Sequence, residues 1–224
     1  MTPPRLAFFD LDNTLIDRAE AFRAWAAAFA SERRLGDEKA IAWLQEADND
    51  GLSPRAEFFA HVRSRYDLVD PIEDLVAAYR RDYPRCVHPV PRETELALWE
   101  LRTRGWKLAV VTNGGPSQAA KIAAAGLVDA VDGWAISEVV GARKPAPAIF
   151  QAAAAACSCS LDRAWMVGDS VEADIGGARA CGLRSVWISR GRGWPEPSYR
   201  PDAVAESIAS AVEFILTEDD AYSR

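Results

Sequence analysis

Short, mostly apolar runs punctuate the chain at Leu6–Phe9, Lys107–Thr112, Ala164–Val167 and Arg184–Ile188. They do not alternate with polar residues, so they suit strands buried on both faces of a sheet. Helical patterns lie between them, and strands alternating with helices predict an α/β chain with a doubly wound parallel sheet. Pro116, after Gly114-Gly115, opens one crossover helix that Gly126 closes. Another begins near Val171, with Val171, Ile175 and Ala178 on one face and Gly182 just past its end.

Residues from about 18 to 84 read differently, offering successive helical patterns and no buried strand. Phe22, Trp25 and Phe29 share one face of the first helix. Ser53-Pro54 and Asp70-Pro71 supply N-cap and first-turn residues for two later helices, and Asp70 with Glu73 fits a capping box. Ile72, Leu75, Val76, Tyr79 and Tyr83 then form a stripe that Pro84 ends. This spacing predicts aromatic packing within an insertion that has its own core. The expected division is 1–16 with 86–224 as the sheet domain and 17–85 as the helical insertion.

Composition narrows the function. Among 224 residues, 26 Lys and Arg against 33 Asp and Glu leave a formal charge of −7, with no basic cluster to neutralise a nucleic-acid backbone or an anionic membrane. The N-terminal apolar stretch is broken at Asp10, too early for a signal-peptide core or a membrane span, so the expected location is the cytoplasm. Cys86, Cys157, Cys159 and Cys181 then read as reduced thiols, and the one-residue gap between Cys157 and Cys159 is not zinc-site spacing. Monomer and homodimer both suit the chain, because exposed aromatics of the insertion could form a dimer contact.

The candidate chemistry lies at the strand ends. Asp10 and Asp12 follow the first strand one residue apart; in an extended segment both face the same way and converge on one small volume. Two acids so close call for a cation, acid/base work, or both. Thr112-Asn113-Gly114-Gly115 places a hydroxyl and a flexible backbone before a helix start, which suits phosphate oxygens. Lys144 stands before a proline-initiated helix, and Asp169 follows the third strand, with Asp174 about one helical turn later. Each feature alone has a plain reading as turn, cap or solvated charge. Together at one edge, where open parallel sheets bind ligands, they suit a hard cation such as Mg²⁺ bridging to a phosphate.

In this order, Asp10-Leu-Asp12-Asn-Thr14, Thr112-Asn113-Gly114, Lys144-Pro145 and Gly168-Asp169 through Asp174 resemble the four motifs of the haloacid dehalogenase superfamily. The resemblance implies a Rossmann-like core with a helical cap inserted after the first strand. Asp12 two positions after the nucleophile marks phosphatases and phosphotransferases rather than dehalogenases, and an alkoxide leaving group benefits from an acid where a halide does not. The resemblance implies Asp10 as nucleophile and Asp12 as acid and then base. It implies Mg²⁺ on the Asp10 carboxylate, the Asp12 carbonyl and the Asp169 carboxylate, with Asp174 acting through water or hydrogen bonds. Thr112, the Asn113 backbone and Lys144 would hold the phosphoryl oxygens.

The motifs look most like those of acylneuraminate-9-phosphatase and pyrimidine-nucleotidase type members, which implies a small phosphate ester such as a sugar phosphate or nucleoside monophosphate. Arg18, Arg23, Arg55 and Arg63 of the insertion could reach a polar substrate but read more plainly as surface charges. A phosphotransferase or mutase would use the same residues. A signalling receiver is smaller, lacks the insertion and carries its accepting aspartate on a later strand, and a non-catalytic binding protein would not need the intact set of acids.

Overall fold

The structure, a computed structural model, describes residues 5–36 and 38–222. It divides into two compact units, residues 1–16 with 89–224 and residues 17–88.

The first unit is built on a parallel sheet of β1 (Arg5–Phe9), β2 (Trp106–Thr112), β3 (Gly133–Ile136), β4 (Trp165–Gly168), β5 (Arg184–Ile188) and β6 (Ala203–Ala205), in the order β3-β2-β1-β4-β5-β6. The apolar runs account for β1, β2, β4 and β5, all nearly fully buried. The edge strands β3 and β6 have no such run: they are four and three residues long and half exposed, so burial imposes no continuous apolar pattern on them. Strand order reverses between β1 and its neighbours β2 and β4, which makes the C-terminal end of β1 the switch point of the sheet.

The second unit comprises α1 (Arg18–Arg33), α2 (Glu38–Asp48), α3 (Arg55–Tyr66) and α4 (Ile72–Asp82), followed by a 3₁₀ turn, Tyr83–Cys86, that contains Pro84. Phe22, Trp25 and Phe29 of α1 pack against Phe58 and Phe59 of α3 and against Tyr79 and Tyr83, with Trp25 edge-on to Tyr79 at 4.8 Å between ring centroids. All seven rings are buried, so these aromatics make the unit's core and are not available as an exposed dimer contact.

Two capping expectations fail here. The N-cap positions of α3 and α4 are Pro54 and Pro71 themselves, each with its carbonyl accepting the first helical bond, from Phe58 and Leu75. The side chains expected as caps are engaged elsewhere: the Ser53 hydroxyl donates to the Ala47 carbonyl, and Asp70 pairs with Arg33 at 2.5 Å.

Arg18 and Arg55 are not surface charges either. Both close on Asp48, which is 1% exposed: Arg18 Nη1 lies 2.7 Å from Oδ2 and Arg55 Nη2 2.6 Å from Oδ1, and the Gly51 amide donates to Oδ2. Burial lowers the Arg18 pKa, but Asp48 overcomes that and holds the guanidinium above its ordinary value. Removing one partner of a buried ion pair strands the other charge. Asp48→Ala should therefore destabilise this unit by about 3–5 kcal/mol, read as a lower urea midpoint; an unchanged midpoint would show that the cluster carries no net stability.

Helices of the first unit cover both faces of the sheet. They are α5 (Arg92–Thr103), α6 (Ser117–Ala124), α7 (Ser137–Val140), α8 (Pro147–Ala156), a π-helical turn (Val171–Gly176) leading into α9 (Gly177–Ala180), and α10 (Ile208–Tyr222). On one face Leu6, Phe8, Ala109, Val111 and Met166 meet Ile149 and Phe150 of α8 and Ala178 of α9. α5 packs against α10 and β2. Among the described residues no helix is long and apolar enough to cross a membrane, and all four cysteines are free.

Candidate active site

Asp10 leaves β1 with its amide still paired to the Val167 carbonyl of β4, so the sheet itself aims this residue. The chain then turns at once. Asn13 takes a left-handed φ of 65°, and the amides of Leu15 and Ile16 both donate to the Leu11 carbonyl. Asp10 and Asp12 stay close enough for the charge of Asp12 to raise the Asp10 carboxyl, yet each has its own partner. Asp10 turns inward to Lys144, and Asp12 turns to α6.

Lys144 is the hub of the buried part. Its Nζ lies 2.5 Å from Asp10 Oδ1, 2.7 Å from Asp174 Oδ1 and 2.6 Å from the Val111 carbonyl. The Asn113 side chain fixes it from behind, accepting from the Lys144 amide and donating to the Lys144 carbonyl. Two of the ammonium protons go to Asp10 Oδ1 and the Val111 carbonyl, and Asp174 Oδ1 lies at ion-pair distance. The lysine is 3% exposed, the reverse of a solvated side chain.

Asp174 is fully buried, and its Oδ2 accepts from the Ser170 amide. It folds back over β4, where a Cβ on Gly168 would lie 2.2 Å from Oδ2; only glycine allows this approach. Asp169 completes the group: one carboxylate oxygen from each of Asp10, Asp169 and Asp174 lies within 4.8 Å of the others. Arg190 and Arg192, which sequence reasoning did not single out, approach Asp169 Oδ2 at 3.4 and 3.2 Å from the loop after β5.

The electrostatics follow from burial. Desolvation, opposed by Lys144 and reinforced by Asp174 and Asp12, pushes the Asp10 carboxyl up to about 7. Burial and the charge of Asp10 raise Asp169 to about 6, against the arginines. Asp174 is raised by burial despite Lys144. Burial disfavours the Lys144 ammonium, but Asp10 and Asp174 outweigh it and keep the group charged. The buried ammonium meets Asp10 and Asp174, Asp169 has the two partly exposed arginines, and oxygen donors this close fit a hard divalent cation.

Asp12 has a different environment. Its carboxylate is held by Lys121 and Gln118 of α6, and Gln118 also donates to the Thr112 hydroxyl at the end of β2. Neither residue was singled out from the sequence. The available signal was two polar side chains one helical turn apart, directly after the turn that ends β2.

This fold and this arrangement of acids define the class. A profile of the haloacid dehalogenase-like hydrolases matches residues 4–182, and the chain belongs to that family. It is 39% identical over 130 residues to a phosphoserine phosphatase of Thermus thermophilus, an alignment covering 58% of this chain and 51% of that protein, so the chain spans about half the length of this relative. It is 32% identical to a ribulose-1,5-bisphosphate 5-phosphatase of Halopiger xanaduensis, over 92% of this chain and 90% of that one. Among solved structures the HAD-hydrolase YfnB of Bacillus subtilis, bound to magnesium, superposes with a TM-score of 0.78 at 21% identity, covering 96% of this chain and 99% of that one.

Proposed function

We propose that this hydrolase is a Mg²⁺-dependent phosphatase of a small phosphorylated metabolite that works through an aspartyl-phosphate on Asp10. The observation that carries the reading is the buried group of Asp10, Asp169 and Asp174 around Lys144 at the switch point of the sheet, with a further carboxylate, Asp12, held apart from it.

Asp10, Asp169 and the carbonyl of Asp12 would hold the cation, with Asp174 supporting them through Lys144 and Ser170. The bound cation supplies positive charge that keeps Asp10 ionised and offsets charge on the phosphoryl oxygens. The Asp10 carboxylate attacks phosphorus in line; the O–P bond to Asp10 forms as the ester P–O bond breaks, and Asp12 gives its proton to the departing oxygen. Asp12 then takes a proton from water, whose oxygen attacks phosphorus. The Asp10–phosphorus bond breaks, inorganic phosphate leaves, and both aspartates return to their starting states. Thr112 can donate its own hydroxyl proton to a phosphoryl oxygen while it accepts from Gln118, and the Asn113 backbone lies beside it. Lys144 reaches the phosphoryl group by exchanging one of its protein partners.

The helical unit, 17–85 in this reading, would act as the cap that selects the substrate. A phosphorylated sugar is the preferred class, supported by the relative named for ribulose-1,5-bisphosphate. The test is phosphate release from a panel of sugar phosphates, phosphorylated amino acids and nucleoside monophosphates with Mg²⁺. Strong turnover of one class is expected, and no release from any of them by folded protein would reject the reading.

The raised carboxylates also predict a pH dependence. Asp10 and Asp169 titrate near 7 and 6 in the folded chain, against an ordinary 3.8, so between these values the folded state binds more protons than the unfolded one. Stability of the chelated protein should be highest on the acid side of this window and fall as pH rises through 6 to 7. Melting midpoints at pH 5.5 and 8 in chelator should show that drop, and Asp10→Asn should show less of it. An equal drop in both would mean that Asp10 is not its source.

A further inference from the structure

Helix α6 turns two polar side chains inward rather than toward water. Gln118 is 3% exposed and Lys121 6%. Lys121 Nζ lies 2.8 Å from both carboxylate oxygens of Asp12, and Gln118 Nε2 lies 2.9 Å from Asp12 Oδ2 and 2.6 Å from Thr112 Oγ1. A lysine on a short surface helix would ordinarily extend its flexible stem into solvent; burying the ammonium is costly unless an anion meets it. Here the anion is a single carboxylate, gripped at both oxygens, that stands outside the Lys144 group.

Geometry explains why Asp12 needs such a grip. It sits past the ladder that aims Asp10, where a single bridge to Ile16 ties its backbone, so its side chain is aimed by the groups it touches and not by the sheet. A group that exchanges a proton with a leaving oxygen must be held to a fraction of an ångström, and a displacement of about 1 Å can cost on the order of a hundredfold in rate. Two donors on a carboxylate oxygen and one on the other fix its orientation. The amide of Gln118 also registers Asp12 against the Thr112 hydroxyl.

We propose that Lys121 and Gln118 are positioning residues that hold the Asp12 carboxylate in register with Thr112 for proton exchange at the leaving oxygen. This rests on the phosphatase reading above.

The test is kcat/KM, which reports the step in which the ester bond breaks, for a series of substituted phenyl phosphates of increasing leaving-group pKa in the presence of Mg²⁺. Lys121→Met should lose on the order of a hundredfold with the poorest leaving groups, and progressively less as the leaving group improves and needs the acid less, so that its profile parallels that of Asp12→Asn. Adding Lys121→Met to Asp12→Asn should cost no more than about twofold further, as expected for residues acting through one group. An equal loss across the series, or full additivity with Asp12→Asn, would overturn the proposal by showing that Lys121 acts on the phosphate or on the fold. Should Lys121→Met fail to fold by circular dichroism, Gln118→Met carries the same test with the same two outcomes. Asp10→Asn in the same assay keeps the readings apart: turnover by that variant would remove the phosphatase mechanism, whereas its inactivity beside a flat Lys121→Met profile would remove only the positioning role.

Discussion

Asp10→Asn is expected to reduce turnover to background with every substrate, a loss on the order of 10⁴-fold or more, comparable to removing a nucleophile elsewhere. The amide keeps the shape of the side chain, and one oxygen can still accept from Lys144, so the fold should survive; what goes is the anionic oxygen that forms the bond to phosphorus. Burial, only partly offset by the counter-charge of Lys144, leaves this carboxyl titrating near 7. Wild-type protein should incorporate ³²P from a labelled substrate into an acid-stable, hydroxylamine-labile form, and Asp10→Asn should not. Near-wild-type phosphate release by the variant would remove Asp10 as nucleophile.

Chelation is expected to abolish activity, and added Mg²⁺ to restore it. Of three carboxylates with oxygen atoms within 4.8 Å of one another, the buried ammonium meets two, and the third, Asp169, has partly exposed arginines beside it. Without a further cation Asp10 is partly protonated at neutral pH and a poor nucleophile, and the like charges repel. Melting should report the same event independently of turnover. A ligand that binds only the folded state stabilises it in proportion to the logarithm of its excess over the dissociation constant, so Mg²⁺ should raise the midpoint of the chelated protein. Full activity in excess chelator, or a midpoint indifferent to Mg²⁺, would take the cation out of the mechanism.

Much of this architecture was legible in the chain. The buried strands β1, β2, β4 and β5 announce themselves because a strand covered on both faces must be apolar throughout. β3 and β6 lie at the edges, where that requirement lapses. The aromatic stripe of α1 and the helix after β2 followed the expected periodicity, whereas the caps at Ser53 and Asp70 did not, because local pattern ignores the competing partners Ala47 and Arg33. The motif order also pointed to Asp10, Thr112, Lys144, Asp169 and Asp174 at one edge of the sheet, and the structure brings Asp10, Lys144, Asp169 and Asp174 together.

By itself the sequence determined the elements whose cause is local: the continuous apolar strands, the helical periodicities, and the acids and lysine set just beyond strand ends. Only the tertiary structure decided how charges pair across long separations. Lys121 meets Asp12 from 109 residues away, Lys144 meets Asp10 from 134, and Arg18 and Arg55 leave solvent for Asp48. The physical reason is that a charged side chain is indistinguishable from a solvated one until folding removes its water, and the partner that replaces the water is chosen by packing rather than by neighbours in the chain.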